Sequence, residues 1–136
     1  RDLETIVAQE IHAISETFHL DHVEVSCGNN SIPTATVRLI GHDGQVHVNT
    51  AFGTGPIDAV YKAIRTITKE QDKLIEFSVN SITEGIDAVG EVLVRIESKG
   101  VMYTGRGAST DIIVASAKAY MNALNRLLAA KRRNGG

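Results

Sequence analysis

The stretch Phe52-Gly53-Thr54-Gly55-Pro56-Ile57-Asp58 has a counterpart further along the chain, Thr104-Gly105-Arg106-Gly107-Ala108-Ser109-Thr110-Asp111, with one residue inserted. Each stretch lies where a side-chain period of two gives way to one near 3.6. Before the first, Val46, Val48, Thr50 and Phe52 alternate as in a strand. After it, Ile57, Val60, Tyr61, Ile64 and Ile67 fall on one helical face, and Pro56 suits a first turn whose N–H groups need no partner within the helix. Before the second, Val101 and Tyr103 alternate. After it a helix is expected to begin near Ser109 or Thr110, either of which can cap it, with Ile113, Ala117, Tyr120, Leu124 and Leu127 on its apolar face.

Outward from these two points the same order appears twice. Val23, Val25 and Cys27 form one alternating run, and Ala35, Val37 and Leu39 another, followed by a turn at His42, Asp43 and Gly44. In the second half Ile75, Phe77 and Val79 alternate, then Val92, Val94 and Ile96, with a turn at Ser98, Lys99 and Gly100. Strand, strand, strand, glycine pair and helix therefore occur in succession, twice. The reading is an α+β fold of two repeated βββα units, about 20–70 and 74–131, packed around one core, because either unit alone would expose a sheet face. Leu3, Ile6, Val7, Ile11, Ile14 and Phe18 place an amphipathic helix ahead of the first unit. Its pattern is already under way at Arg1, so the chain is expected to continue upstream.

Composition narrows the function classes. At 136 residues the chain suits one hydrophobic core. Its apolar runs are too short to cross a bilayer, and the opening residues lack the apolar segment of a secretory signal, so a cytoplasmic protein without a membrane partner is expected. Cys27 is the sole cysteine, which excludes an internal disulfide and a cysteine-rich zinc site within one chain. With a net charge of -2 and no basic stretch beyond Lys131, Arg132 and Arg133, nucleic acid is not an expected partner. Those three cations suit the negative end of a helix.

The glycine pairs have two physical readings. They either shape a strand-to-helix turn or bare N–H groups at a helix N-terminus, where a carboxylate or phosphate can sit. No third glycine completes a dinucleotide fingerprint. His19 and His22 fall in an expected helix-to-strand connection and His42 and His47 flank a turn, without the cysteine or acidic partners of a zinc pattern. Asp58 and Asp111 suit the first turns of helices. Thr83-Glu84-Gly85-Ile86-Asp87-Ala88 reads as a ligand loop or as a simple turn. No nucleophile, base and oxyanion donor come together, so the chain reads as a binding module.

Three further runs carry a resemblance. Ala51–Ala63 is similar to the GxGPxDA segment of the C-terminal regulatory domain of 2-isopropylmalate synthases. So are Ile82–Glu91 and Thr104–Ser116, followed by Ala119–Asn125. The resemblance spans about Leu20 to Leu128; it assigns residues 1–19 to the end of a linker subdomain and 20–136 to the regulatory domain. In that family the domain consists of two βββα units and forms a homodimer. The parent enzyme condenses acetyl-CoA with 2-oxoisovalerate in a TIM barrel that needs a divalent metal, and leucine inhibits it.

The resemblance implies no cofactor and no catalytic residue in this chain, which is expected to be inactive without its catalytic domain. It implies an L-leucine effector site between the units, near the dimer axis. Gly53, Gly55, Ile57 and Asp58 would come from the first glycine turn, Leu74, Phe77 and Ser81 from the next strand, and Ala88 and Gly90 from beyond it. An amino acid needs N–H donors for its carboxylate, an acceptor for its ammonium and an apolar recess, which a helix N-terminus, an aspartate, and Leu74 with Ala88 can supply. Many relatives carry tyrosine where this chain has Phe77, so any bond from that hydroxyl is missing. The matching domain of citramalate synthases, which senses isoleucine, and a purely structural dimerisation domain are the alternatives.

Overall fold

A computed structural model describes residues 17–26, 32–81 and 89–133. Strands β1 (Phe18–Ser26), β2 (Thr34–Gly41) and β3 (Val46–Phe52) form one antiparallel sheet in that order. Helix α1 (Pro56–Thr68) follows. Strands β4 (Lys73–Ser81), β5 (Gly90–Ser98) and β6 (Val101–Ser109) form a second antiparallel sheet, and helix α2 (Ile112–Arg133) follows it. The two expected βββα units are present. The expected opening helix lies mostly outside the described residues, but its last member, Phe18, is already in β1.

The duplication reaches the irregularities. In β1 the register slips between Leu20 and His22, and in β4 it slips between Leu74 and Glu76. In each case the residue before the bulge faces the last of three buried residues on the central strand: Leu20 opposite Leu39, Leu74 opposite Ile96. Ala35, Val37 and Leu39 of β2 and Val92, Val94 and Ile96 of β5 are all fully buried. They carry the two halves of the core, as their alternation predicts.

Helix α1 packs on β2 and β3, α2 on β5 and β6, and the helices touch one another. Helix α2 also packs on β1, where the Asn125 side chain accepts from the Phe18 N–H and donates to its carbonyl, each at 3.0 Å. Among the described elements no helix runs along β4 in the same way. Leu74 and Val79 are therefore 38% and 48% exposed although they oppose buried residues of β5.

Two expectations fail on packing. The apolar series Val46, Val48 and Phe52 faces outward, at 58%, 58% and 65% exposure, while His47, Asn49 and Ala51 face inward. Small or polar inward residues let α1 lie close to β3. The second glycine pair does not form a turn. Gly105 and Gly107 are buried in β6, against the Ala115, Ala119 and Ala123 backbone of α2, where a Cβ at Gly107 would stand 2.5 Å from the Ala115 carbonyl. Register gives the true correspondence: Ala51 opposite Ala35 matches Gly107 opposite Val92, and Gly55 matches Asp111. Both of these start helices, since Ala59 N donates to Gly55 O at 3.0 Å and Ala115 N to Asp111 O at 2.9 Å. The α2 cap is Asp111, whose carboxylate accepts from Ile113 N at 2.8 Å, rather than Ser109 or Thr110.

Candidate functional site

Helix α1 starts without a side-chain cap. Its N-cap is Gly55, and Pro56 brings no N–H to the first turn. Among the described residues the N–H groups of Gly55, Ile57 and Asp58 have no hydrogen-bond partner, because the first helical bond is made by Ala59 N. These donors sit at the positive end of the helix dipole, the arrangement that holds a carboxylate. Gly55 has extended backbone, φ -155 and ψ 174, and a Cβ there would meet nothing within 4 Å. Neither strain nor crowding accounts for glycine at this position. Gly53 is different, since a Cβ on it would run into the Ala59 N and lie 2.8 Å from Asp58 Oδ2. It lets β3 pass close to α1.

Asp58 closes the turn from inside α1. Its Oδ2 accepts from the Thr54 N–H at 2.9 Å and hydroxyl at 3.4 Å, and Lys62 Nζ lies 3.3 Å away. The Thr54 N–H chiefly holds its carboxyl below the usual range; partial burial opposes this and Lys62 reinforces it. An ionised carboxylate thus stands beside a set of unpartnered N–H groups, the charge pattern complementary to a zwitterion.

The other expected site residues lie on the second sheet. Leu74 and Phe77 belong to β4, whose last residue, Ser81, pairs with Gly90 at the start of β5. A Cβ on Gly90 would make only ordinary contact, 3.7 Å from Ile112 Cδ1. Ala88 and the Thr83–Ala88 run lie outside the described residues. Two cavities of about 370 and 530 Å³ occur elsewhere, one beside Leu20, Lys118 and Asn122, the other beside Lys69, Tyr103 and Leu127.

One side chain connects the two groups. Tyr61 of α1 meets the Phe77 ring edge-on, with centroids 6.4 Å apart, and stacks at 4.5 Å on Tyr120 of α2. The Tyr120 hydroxyl donates to the Asp72 carboxylate at 3.0 Å and receives Arg65 Nε at 3.3 Å. Asp72 has a fully buried side chain. Nothing in the sequence separated Tyr61 and Tyr120 from the rest of their apolar stripes, and Asp72 and Arg65 gave no signal.

His19 and His22 are placed differently from expectation, in a strand rather than a connection, whereas His42 and His47 flank a turn as expected. His19 and His22 both lie in β1, and His22 Nε2 is 2.7 Å from Glu24 Oε1. His47 meets Phe18 edge-on at 5.6 Å. Among the described residues no group of three His, Cys, Asp or Glu is placed to hold a metal ion, and no helix is long and apolar enough to cross a membrane.

The family model of the LeuA allosteric (dimerisation) domain matches residues 1–128. The chain belongs to that family. This LeuA allosteric domain is 55% identical over 126 residues to a 2-isopropylmalate synthase of Gloeobacter violaceus, covering 93% of this chain and 23% of that protein. It is 56% identical over 129 residues to the 2-isopropylmalate synthase of Synechocystis sp., covering 95% and 24%, and 51% identical over 133 residues to that of Prochlorococcus marinus, covering 98% and 25%. The chain spans about a quarter of the length of the curated relatives it matches.

Proposed function

We propose that this domain is the leucine-sensing regulatory part of a 2-isopropylmalate synthase. It binds L-leucine and lowers the rate at which a separate catalytic domain condenses acetyl-CoA with 2-oxoisovalerate. On this reading residues 1–19 end a linker subdomain, 20–136 form the regulatory domain, and the protein works in the cytoplasm. The chain itself carries no cofactor and no catalytic activity.

The observation that carries the reading is the α1 terminus: three unpartnered N–H groups beside an ionised Asp58, at a glycine that local geometry does not require. Leucine's carboxylate takes the donors, its ammonium faces Asp58, and its side chain is covered by Ile57, Leu74 and Phe77, with Gly53, Ser81, Ala88 and Gly90 shaping the surroundings. On this reading a second copy of the chain covers the site that the α1 terminus and β4 begin. Exposed Val46, Val48 and Phe52 on β3, together with Leu74 and Val79 on β4, offer the apolar surface that a homodimer of a dimerisation domain would cover.

Thermal shift with leucine, isoleucine and valine tests the reading. A ligand that binds only the folded state adds RT ln(1 + [L]/Kd), about 2.7 kcal/mol at a hundredfold excess over Kd. The largest shift is expected with leucine. A larger shift with isoleucine would assign the domain to a citramalate synthase, and no shift with any of the three would leave a structural dimerisation domain.

A further inference from the structure

Tyr61 carries a polar group with nothing to bond. Its residue is 5% exposed, yet among the described residues its hydroxyl is the buried side-chain oxygen or nitrogen for which no hydrogen-bond partner is found. Buried hydroxyls are almost always paired, because losing water without replacing it is costly. Tyr120, stacked on the same ring, shows the ordinary solution, with Asp72 and Arg65 at its hydroxyl. The unpaired group is therefore a local feature and not a general trait of this core.

Its position supplies the rest of the argument. Helical side chains lean toward the helix N-terminus, so Tyr61 lies over the turn that contains Ile57, one turn inside the uncapped start of α1. Its ring touches Phe77, on the strand that no described helix covers. Tyr61 thus joins the helix whose first turn supplies one group of the proposed effector site to the strand that supplies the other. Burial drives its pKa upward, so it stays protonated and is a donor at neutral pH.

We propose that Tyr61 is a specificity-determining residue of the effector site: its hydroxyl is held unpaired in the free protein and donates to the carboxylate of an α-amino acid bound between the α1 terminus and β4. This rests on the effector reading above and adds a residue to it. Such a donor discriminates by chemistry rather than size, because a ligand without the carboxylate leaves it unpaired again.

Calorimetric titration of the 136-residue chain and its Tyr61→Phe variant with L-leucine and with 3-methylbutylamine, which keeps the ammonium and the side chain but has no carboxyl oxygen to accept a hydrogen bond, tests this, together with thermal midpoints of both proteins without ligand. The variant is expected to keep or raise the ligand-free midpoint and to bind leucine at least tenfold more weakly. Any residual 3-methylbutylamine binding should be the same in both proteins. Unchanged leucine affinity in Tyr61→Phe, or a lowered ligand-free midpoint, which would show that the hydroxyl already has a partner, overturns the assignment of Tyr61 while leaving the effector reading intact. Unmodified protein that binds no leucine overturns the effector reading and this assignment with it.

Discussion

Gly107 faces Ala119 across the β6–α2 contact with no room for a side chain: a Cβ on the glycine would lie 2.6 Å from the Ala119 N and 2.5 Å from the Ala115 carbonyl. Both obstructing atoms are helix backbone, which cannot turn aside as a side chain can. Gly107→Ala should therefore push α2 from the sheet and cost roughly 1–3 kcal/mol, the range for overpacking a dense core. Gly55→Ser, in open space with extended backbone, should stay within about 0.5 kcal/mol of the unmodified chain. Urea unfolding of the two variants checks the contrast, and equal stabilities would contradict the packing account.

Gly55→Asp is expected to abolish leucine binding in a folded domain. Aspartate is a favoured N-cap, and exchanging it with glycine there changes stability by only a few tenths of a kcal/mol. Its carboxylate would accept from the Ile57 or Asp58 N–H groups and so occupy the donors proposed for the ligand, while adding repulsion toward the ligand's carboxylate. In the full-length synthase the outcome would be activity that leucine no longer inhibits. Calorimetry paired with an unfolding curve decides, since undiminished binding would remove the α1 terminus from the site.

Alkaline solution should unfold the domain by a defined route. Burial is the first cause that raises the pKa of both Tyr61 and Tyr120 above the ordinary tyrosine value, and the Asp72 carboxylate adds to the shift of Tyr120. Above pH ~10 the unfolded chain gives up these protons and the native chain keeps them, so stability is full below that pH and falls as pH rises toward the folded-state values. Each tyrosine should contribute a slope of roughly 1.4 kcal/mol per pH unit. Tyr61→Phe should remove one such contribution; Tyr120→Phe should remove the other and also cost about 1 kcal/mol at neutral pH, because Asp72 loses its hydroxyl donor. Denaturant titrations between pH 9 and 11 measure both effects. A slope that neither variant reduces would contradict the assignment.

Val48→Glu should weaken self-association at least tenfold without unfolding the protomer. Val48 is 58% exposed on the outer face of β3, so glutamate is solvated in a monomer and loses that water only if a second copy covers the strand. Sedimentation across micromolar concentrations is the measurement. A variant as dimeric as the unmodified chain would place the interface away from β3.

The sequence alone determined the order of elements and the interior of each central strand, because those follow from local periodicity. A period of two at Ala35, Val37 and Leu39, and again at Val92, Val94 and Ile96, marks one face of a strand wherever the strand lies. Pro56 and the stripe from Ile57 to Ile67 likewise fixed the start and the buried side of α1. The glycine turn and Asp58 were legible as a possible ligand seat, since an uncapped helix start is a local property.

What the sequence left open, tertiary structure decided. Alternation says which residues of β3 share a face but not which face meets a helix, and the close approach of α1 turned Val46, Val48 and Phe52 outward. Identical G-x-G spacing was open to two uses, and only the contact between β6 and α2 showed that Gly105 and Gly107 make room for helix backbone while Gly55 leaves donors bare. Tyr61 was one apolar member of a helical stripe until packing placed it against Phe77 and Tyr120 with its hydroxyl unpaired. Partners distant in sequence are chosen by how helices and sheets close on one another, and that closure depends on the volume of every buried side chain at once, a quantity that no local pattern contains.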